Sequence, residues 1–214
     1  MNVYYTTKRP GYVMQEFKEE DLVKYDKEYV KKYSKYDQLF NEALNFNRLQ
    51  TLLQYASPDS LLDVGYGDGT FLEKCKKNIT NLYGYDVSDV DPPEGVFRVS
   101  EESLQWKYDV VTFFDSLEHV PEHDIVPYLR KFDTNCFMIS VPWFHSACAY
   151  PEWFMNWKHR RENEHLHFFD SFGLISILNE IGYKVAHVSN IEDSIRPSED
   201  DKPNILTVIA IRND

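Results

Sequence analysis

The chain has 214 residues, and its 23 basic and 35 acidic side chains give a formal net charge of −12. This length favours one domain, and the acidic balance argues against nucleic acid as a partner, because phosphate backbones are repelled at long range. No apolar run is as long as a membrane span, and the first residues lack the apolar segment of a signal peptide. We therefore expect a soluble, cytoplasmic protein without membrane contact.

The N-terminal region precedes the predicted core and carries two patterns. Short apolar runs on both sides of Pro10-Gly11 indicate a small hairpin. From residue 19 the pattern is helical, and Tyr25, Tyr29 and Tyr33 recur every four residues, which places them on one helix face. Such a stripe is typical of aromatic side chains that pack on a domain.

A glycine-rich stretch organises the rest of the chain. A predicted helix from Leu44 to Tyr55 leads to a predicted strand from Ser60 to Val64, and glycine then occupies positions 65, 67 and 69 before a second helical pattern. Strand, tight loop and helix in this order open an α/β nucleotide-binding domain. Glycine suits such a loop because the backbone turns sharply and a ligand approaches it closely.

The spacing of these glycines separates the classes of ligand. A dinucleotide fingerprint requires a third glycine at position 70, which is occupied by Thr70, and the loop lacks the Lys-Ser/Thr pair of a phosphate-binding P-loop. A short strand from Asn81 ends in Asp86, 21 residues after Gly65. In a βαβ unit this separation brings the acid to the neighbouring strand end, where its carboxylate can accept hydrogen bonds from both ribose hydroxyls of an adenosine.

The remaining pattern alternates strands and helices. Apolar runs indicate further strands, and one helical segment ends in a glycine that suits the C′ position. The predicted strands are Val96–Val99, Tyr108–Asp115, Cys136–Val141, Tyr183–Val188 and Ile205–Ile211, and the predicted helix is Asp170–Ile181.

Two segments together resemble a known family. Asp63-Val-Gly65-Tyr-Gly67-Asp-Gly69 resembles motif I of the class I S-adenosylmethionine-dependent methyltransferases, and YDVVTFFDSLEHVP, residues 108–121, resembles the fourth-strand segment of their small-molecule members. The resemblance implies an α/β fold, a Rossmann-like three-layer sandwich with a seven-stranded, mostly parallel sheet, an antiparallel last strand and a helical N-terminal cap. We expect one globular unit over residues 44–214, with residues 1–43 packed on it as the cap segment.

The resemblance also implies S-adenosylmethionine as the cofactor. It assigns cofactor contacts to motif I, to the end of the second strand, to the segment after the third strand, to the end of the fourth strand and to the N-terminal helix. The Glu101-Glu102 pair equally suits a helix start. The cofactor-binding residues expected in this way are Asp63, Gly65, Tyr66, Gly67, Asp86, Val87, Glu101, Asp115 and Tyr33.

The catalytic residues are expected beyond the fourth strand and before the last helix. His119 lies just past the strand end, where ligands bind in open α/β sheets, and imidazole suits proton removal near neutral pH. The alternative is that Glu118-His119 only stabilises a loop. His165 is the second catalytic candidate, and the long aromatic and basic segment before it is expected to shape the acceptor pocket. We expect the acceptor to contact Trp143, Trp153, Arg160 and His167, although Arg160 equally suits a solvated face.

A metal site is the main alternative for this region. If the segment is helical, Asp115, Glu118 and His119 share one face, and His165 or His167 would complete a set of oxygen and nitrogen ligands. This set is similar to that of metal-dependent small-RNA 3′-end methyltransferases and of some ubiquinone-pathway O-methyltransferases. Asp115 is expected to end a strand, so the helical spacing does not apply to it, and we assign no metal ligand from the sequence.

The sequence therefore predicts an enzyme that transfers a methyl group to oxygen or nitrogen of a small-molecule acceptor. Two rival hypotheses remain open. One is metal-assisted methylation of an RNA terminus, against which the net charge argues. The other is a protein that binds S-adenosylmethionine without catalysis.

Overall fold

A seven-stranded sheet forms the centre of the fold. The computed structural model describes residues 4–33, 38–146, 152–198 and 201–213. In spatial order the sheet runs β5-β4-β3-β6-β7-β10-β9, and β10 is antiparallel to both of its neighbours while the other pairings are parallel. Its strands are β3 (Ser60–Val64), β4 (Asn81–Tyr85), β5 (Phe97–Arg98), β6 (Lys107–Phe114), β7 (Asp133–Pro142), β9 (Tyr183–Ser189) and β10 (Ile205–Arg212).

Helices cover both faces of this sheet. Successive residues of a strand point to opposite faces, so that Leu61 packs towards α2 and α3 while Leu62 packs towards α4 and α6. The central strands are apolar on both faces for this reason. The predicted three-layer α/β fold with its antiparallel last strand is confirmed. The helices are α1 (Lys27–Tyr33), α2 (Gln38–Leu53), α3 (Thr70–Cys75), α4 (Ile125–Leu129), α5 (Glu152–Asn156) and α6 (Ser171–Glu180).

A second, small sheet lies beside the main one. The predicted N-terminal hairpin is present as β1 (Tyr5–Arg9) and β2 (Tyr12–Gln15), and β8 (His167–Phe169) pairs with β2 as a third antiparallel strand. This pairing ties the N-terminus to the segment before α6. No pattern in the sequence indicated β8, because three residues are too few to show alternation.

Several predicted boundaries differ from the observed ones. The helix expected from residue 19 begins at Lys27, after a single 3₁₀ turn, so that Tyr25 precedes it. The helix expected from Leu44 begins six residues earlier, at Gln38. It therefore crosses the expected boundary between cap and core at residue 43, and that division stays a prediction. Among the described residues no helix combines the length and the apolar character that spanning a bilayer requires.

Candidate active site

A cavity of about 930 Å³ opens where the carboxyl ends of β3, β4 and β6 meet. Each of these ends contributes a predicted residue to its wall, namely Gly65 after β3, Asp86 after β4 and Asp115 after β6. Open α/β sheets bind their ligands at this edge. Ten of the predicted site residues line the cavity: Asp63, Gly65, Tyr66, Gly67, Asp86, Val87, Glu101, Asp115, His119 and His165.

The glycine loop has the backbone conformation that its sequence requires. Gly65 and Gly67 have φ angles of 80° and 56°, in the left-handed region that glycine adopts most readily. A Cβ at Gly65 would lie 2.5 Å from Cβ of Ser116, whereas a Cβ at Gly67 would meet nothing within 4 Å. The loop is therefore closely packed on one side and open to the cavity on the other.

Asp86 is fixed against this loop. Its Oδ2 accepts the Gly67 N–H at 2.9 Å, and its Oδ1 accepts the Ser88 N–H at 2.8 Å. Each carboxylate oxygen can accept a further hydrogen bond, since the two oxygens offer about four lone-pair sites. The carboxylate of Asp86 can therefore accept hydrogen bonds from two hydroxyl groups of a ligand in the cavity.

Asp63 lies under the loop and is almost fully buried. Its Oδ1 accepts a hydrogen bond of 2.7 Å from the Thr112 hydroxyl. Burial raises the pKa of Asp63 to about 7, against the lowering effect of Thr112 and of the Arg48 guanidinium. A carboxyl group in this state changes its charge close to neutral pH.

Asp115 is held by two arginines. Its φ angle is 51°, which is uncommon for a residue with a side chain, and its carboxylate accepts hydrogen bonds from Arg48 at 3.1 Å and from Arg196 at 2.9 Å. Burial by itself would raise the pKa of Asp115, but the charges of Arg196 and Arg48 lower it to about 2. Glu192, which is fully buried, accepts hydrogen bonds from Arg48 at 2.8 and 3.0 Å and pairs with Arg196. We call these two arginines and two carboxylates the charged ring.

His119 lies in a 3₁₀ turn after β6, with its ring directed towards the cavity. Its Nδ1 is 2.8 Å from the carbonyl oxygen of Glu164, which also accepts the Tyr25 hydroxyl at 3.1 Å. A carbonyl oxygen only accepts, so Nδ1 carries the hydrogen and Nε2 keeps its lone pair. Burial lowers the pKa of His119, which keeps the ring neutral at physiological pH.

Glu118 and His165 stand beside His119, and both have buried polar atoms that are unpaired among the described residues. Among the described residues neither carboxylate oxygen of Glu118 has a partner, and neither has Nδ1 of His165, although both residues are more than 95% buried. The rings of His119 and His165 meet edge to face at 4.6 Å between centroids. Burial raises the pKa of Glu118 and lowers that of His165. One ligand atom from each of the three residues lies within 4.8 Å of the others.

The four residues expected to contact the acceptor lie outside the cavity wall, and the structure gives each of them another environment. His167 is buried in β8, where the Tyr12 hydroxyl and the Val120 carbonyl occupy its two ring nitrogens at 2.8 Å each. Arg160 bonds to the hydroxyl of Tyr5 at 3.0 Å and to Glu162. Trp143 stacks on His145, and Trp153 packs against Phe144 and Trp157. We therefore do not assign these four to the acceptor.

Tyr33 is the remaining predicted cofactor contact. It ends α1, and its side chain lies outside the described part of the chain. The two tyrosines before it on the predicted stripe, Tyr25 and Tyr29, line the cavity next to Glu164.

Sequence reasoning did not find the arginines of the charged ring. Arg48 follows Leu44 and precedes Leu52 at intervals of four residues, so the apolar face of α2 contains it, and this position was a usable signal of burial. Arg196 and Glu192 lie in an irregular acidic connection between β9 and β10. No local pattern distinguishes them from solvated residues.

The fold and the cavity together define a class I S-adenosylmethionine-dependent methyltransferase. A family model described as "Methyltransferase domain" matches residues 36–188, and the chain belongs to that family. No curated protein matches the chain by sequence.

Solved structures of methyltransferases share the fold. The 1,6-didemethyltoxoflavin-N1-methyltransferase of Burkholderia thailandensis, solved with 1,6-didemethyltoxoflavin and S-adenosylhomocysteine, is 16% identical, with a TM-score of 0.59 over 98% of this chain and 99% of its own. An S-adenosylmethionine-dependent methyltransferase of Mesorhizobium loti is 17% identical, with a TM-score of 0.58 over 81% and 100%. The magnesium protoporphyrin IX methyltransferase of Synechocystis PCC 6803, with bound S-adenosylhomocysteine, is 14% identical, with a TM-score of 0.55 over 81% and 83%.

Proposed function

We propose that this methyltransferase transfers the methyl group of S-adenosylmethionine to an oxygen or nitrogen atom of a small-molecule acceptor. The observation that carries the proposal is the continuity of one cavity from Asp86 to His119. One half has the glycine loop and two acids, and the other half has imidazoles and tyrosine hydroxyls. The two halves suit two reactants that meet near Asp115.

The cofactor half fits S-adenosylmethionine, which when bound supplies a methyl group already activated by the sulfonium. The open side of Gly67 lets the ligand come close to the main chain of the loop. The lone pairs of Asp86 that remain free accept hydrogen bonds from the ribose hydroxyls. Val87 and Glu101 line the side expected to hold adenine, and Asp63 and Asp115 line the methionine side. The protein's task is to orient both reactants and to exclude water.

The acceptor half offers a group that removes a proton. Nε2 of His119 carries a lone pair on the cavity side, and the ring is neutral near pH 7. S-adenosylmethionine would supply the methyl group and its sulfur would keep the electrons of the S–CH₃ bond, while Nε2 of His119 would take the proton from the acceptor oxygen or nitrogen. His165 lies in contact with His119 and faces the same space.

A small acceptor suits the enclosure and charge of the site better than an RNA terminus does. The net charge of −12 disfavours a phosphate backbone at the entrance. Among similar folds, one structure holds 1,6-didemethyltoxoflavin and another is of a magnesium protoporphyrin IX methyltransferase. A cytoplasmic location remains a prediction from the sequence.

Calorimetry tests the cofactor half of the proposal. S-adenosylmethionine and S-adenosylhomocysteine are expected to bind one per chain, and Asp86→Ala is expected to weaken binding at least about 100-fold, because two hydrogen bonds to a charged group contribute about 1.5–3 kcal/mol each. Asp201→Ala, which changes an exposed acid, is the matched control. Absence of binding to the wild-type protein would refute the proposal.

A screen of metabolite extracts with radiolabelled S-adenosylmethionine tests the acceptor half. Label is expected in a small molecule and not in RNA. Once an acceptor is known, His119→Ala is expected to lower kcat by about 10²–10⁴ while cofactor affinity stays within a few fold, as loss of a general base would. Turnover at the wild-type rate would remove His119 from the reaction.

A further inference from the structure

Two buried side chains at this end of the cavity have polar atoms without a hydrogen-bond partner among the described residues. They are Glu118, which is 1% exposed, with both carboxylate oxygens, and His165, which is 4% exposed, with Nδ1. Nε2 of His119 lies beside them, 3.9 Å from Oε1 of Glu118. A buried carboxylate without hydrogen bonds costs several kcal/mol, and native proteins rarely keep one. One possible ligand atom from each of Glu118, His119 and His165 lies within 4.8 Å of those from the other two.

The positive side chains around Glu118 are already engaged. Arg196 is paired with Asp115 and Glu192, and Arg161 is paired with Glu164 at 2.8 Å. Neither arginine makes a hydrogen bond to Glu118 among the described residues. The protein therefore places two imidazoles beside this carboxyl group, and among the described residues no cationic side chain is hydrogen-bonded to it.

The two histidines are oriented as metal ligands are. Nδ1 of His119 donates to the carbonyl of Glu164, with the Tyr25 hydroxyl at 2.8 Å, so that its free Nε2 is aimed at the space beside Glu118, 3.9 Å from Oε1. The ring of His165 has a backbone hydrogen bond to His159 while its Nδ1 has none. Metal-binding histidines usually donate the N–H of their other ring nitrogen to a group such as a backbone carbonyl, and this hydrogen bond orients the imidazole towards the metal.

The structure excludes two ligands that the spacing in the sequence suggested. Asp115 precedes the 3₁₀ turn, and both of its carboxylate oxygens accept hydrogen bonds from arginine. His167 has both ring nitrogens bonded within the small sheet. The set is therefore one carboxylate and two imidazoles, Glu118, His119 and His165.

We propose that Glu118, His119 and His165 bind one divalent transition-metal cation, of the zinc or cobalt type. Two imidazole ligands favour these ions over magnesium and calcium, which prefer oxygen. Three protein ligands leave a position open towards the cavity, as in catalytic zinc sites. Ligand atoms around zinc lie roughly 3.5 Å apart. The distance between Nε2 of His119 and Oε1 of Glu118, 3.9 Å, is close to that value.

The role of this cation rests on the proposed function. Its open position faces the space assigned to the acceptor, so an acceptor oxygen or nitrogen placed there loses its proton to water more readily. In the protein with metal bound, the cation and not His119 makes the acceptor nucleophilic. His119 then serves as a ligand of the cation. The site would thus select acceptors with a hydroxyl or an ionisable N–H that can approach a metal.

Calorimetry on the 214-residue chain tests the proposal, after dialysis against a chelator. Zn²⁺, Mn²⁺ and Mg²⁺ are titrated separately, and Co²⁺ is followed by visible absorption, which reports nitrogen ligation. We expect one Zn²⁺ or Co²⁺ per chain, with Mg²⁺ bound at least about 100-fold more weakly. Glu118→Gln and His165→Asn are each expected to weaken Zn²⁺ binding by more than about 100-fold, since even supporting residues contribute 10–100-fold.

His123→Asn is the matched control, because His123 is exposed and stacks on Phe17 away from the cavity. Circular dichroism and the Tm of the metal-free variants check folding, and Glu118→Gln is expected to be at least as stable as the wild type without metal. Zn²⁺ binding that is absent, or that is equal in Glu118→Gln and the wild type, overturns the proposal.

The two proposals fail in different ways. If S-adenosylmethionine binds and an acceptor is methylated at full rate in excess chelator, the cation proposal falls and the proposed function stands. If S-adenosylmethionine does not bind at all, the proposed function falls, whereas the cation proposal is judged separately by the Zn²⁺ titration.

Discussion

Replacement of Glu192 by glutamine should destabilise the protein far more than loss of an exposed acid does. The side chain keeps its shape, but the charged ring changes from two positive and two negative groups to two positive groups and one negative group. Arg48 and Arg196 each lose one of their two carboxylate partners and keep only Asp115. Glu192 is fully buried, so water cannot replace these contacts.

The size of the effect follows from this burial. Removal of one partner from a buried ion pair costs about 3–5 kcal/mol, because the other charge is left uncompensated. For a domain of this length 1 kcal/mol corresponds to about 2–4 °C in Tm, so the expected fall is about 6–20 °C. Glu180→Gln removes a partly exposed pair with Arg9 and should cost less than about 1 kcal/mol.

Thermal and urea denaturation of both variants measure this difference. Arg48→Met combined with Glu192→Gln should cost clearly less than the sum of the single changes, because the double variant removes an unpaired charge that each single one creates. If Glu192→Gln melts within about 2 °C of Glu180→Gln, the charged ring does not stabilise the fold and the reasoning is wrong.

The other predictions concern the cofactor half. Burial raises the pKa of Asp63 to about 7 in the folded state, above its value in the unfolded chain. The folded state therefore holds this proton more tightly, and the free energy of unfolding falls as the pH rises from about 4 towards 7. Relative to the wild type, Asp63→Asn should therefore gain stability from about pH 4 to pH 7, by at most about 1.4 kcal/mol per pH unit, and then level off. Parallel stability curves from urea titrations at each pH would contradict this. Gly65→Ala should lower stability by about 1–3 kcal/mol, because φ is 80° and the new Cβ meets Ser116 at 2.5 Å. It should also weaken S-adenosylmethionine binding at least about 10-fold by calorimetry, whereas Gly95→Ala, on an open turn, tests the backbone effect alone. If Gly65→Ala and Gly95→Ala bind S-adenosylmethionine with equal affinity, the packing of the loop at Gly65 does not contribute to cofactor binding.

Much of the fold was predictable because its signals are local. The continuous apolar runs of β6 and β7 are required by burial on both faces, and the glycines of the loop are required by its left-handed backbone. Asp86 lies against the loop because about twenty residues separate adjacent parallel strand ends in a βαβ unit. The helix boundaries were less accurate, since Gln38–Leu53 extends beyond its apolar repeat.

The acceptor end was only partly predictable. His119 and His165 were named from their places relative to β6 and α6, and both line the cavity. Trp143, Trp153, Arg160 and His167 were expected to join them on composition alone, and they lie outside its wall. Composition does not say which side of a short strand such as β8 faces a cavity, because one residue of shift exchanges the two faces.

The sequence by itself determined the class of fold and the cofactor, because the glycine loop and the strand pattern depend on short-range periodicity and spacing. Only the tertiary structure decided which side chains meet at the far end of the cavity. Tyr25, Arg48, Glu118, His165 and Glu192 come from segments far apart in the chain, and no local rule fixes their distances. Their meeting depends on how α2, the turn after β6 and the connection before β10 pack on the sheet. That packing closes the charged ring around Asp115, and it leaves Glu118 buried between two histidines.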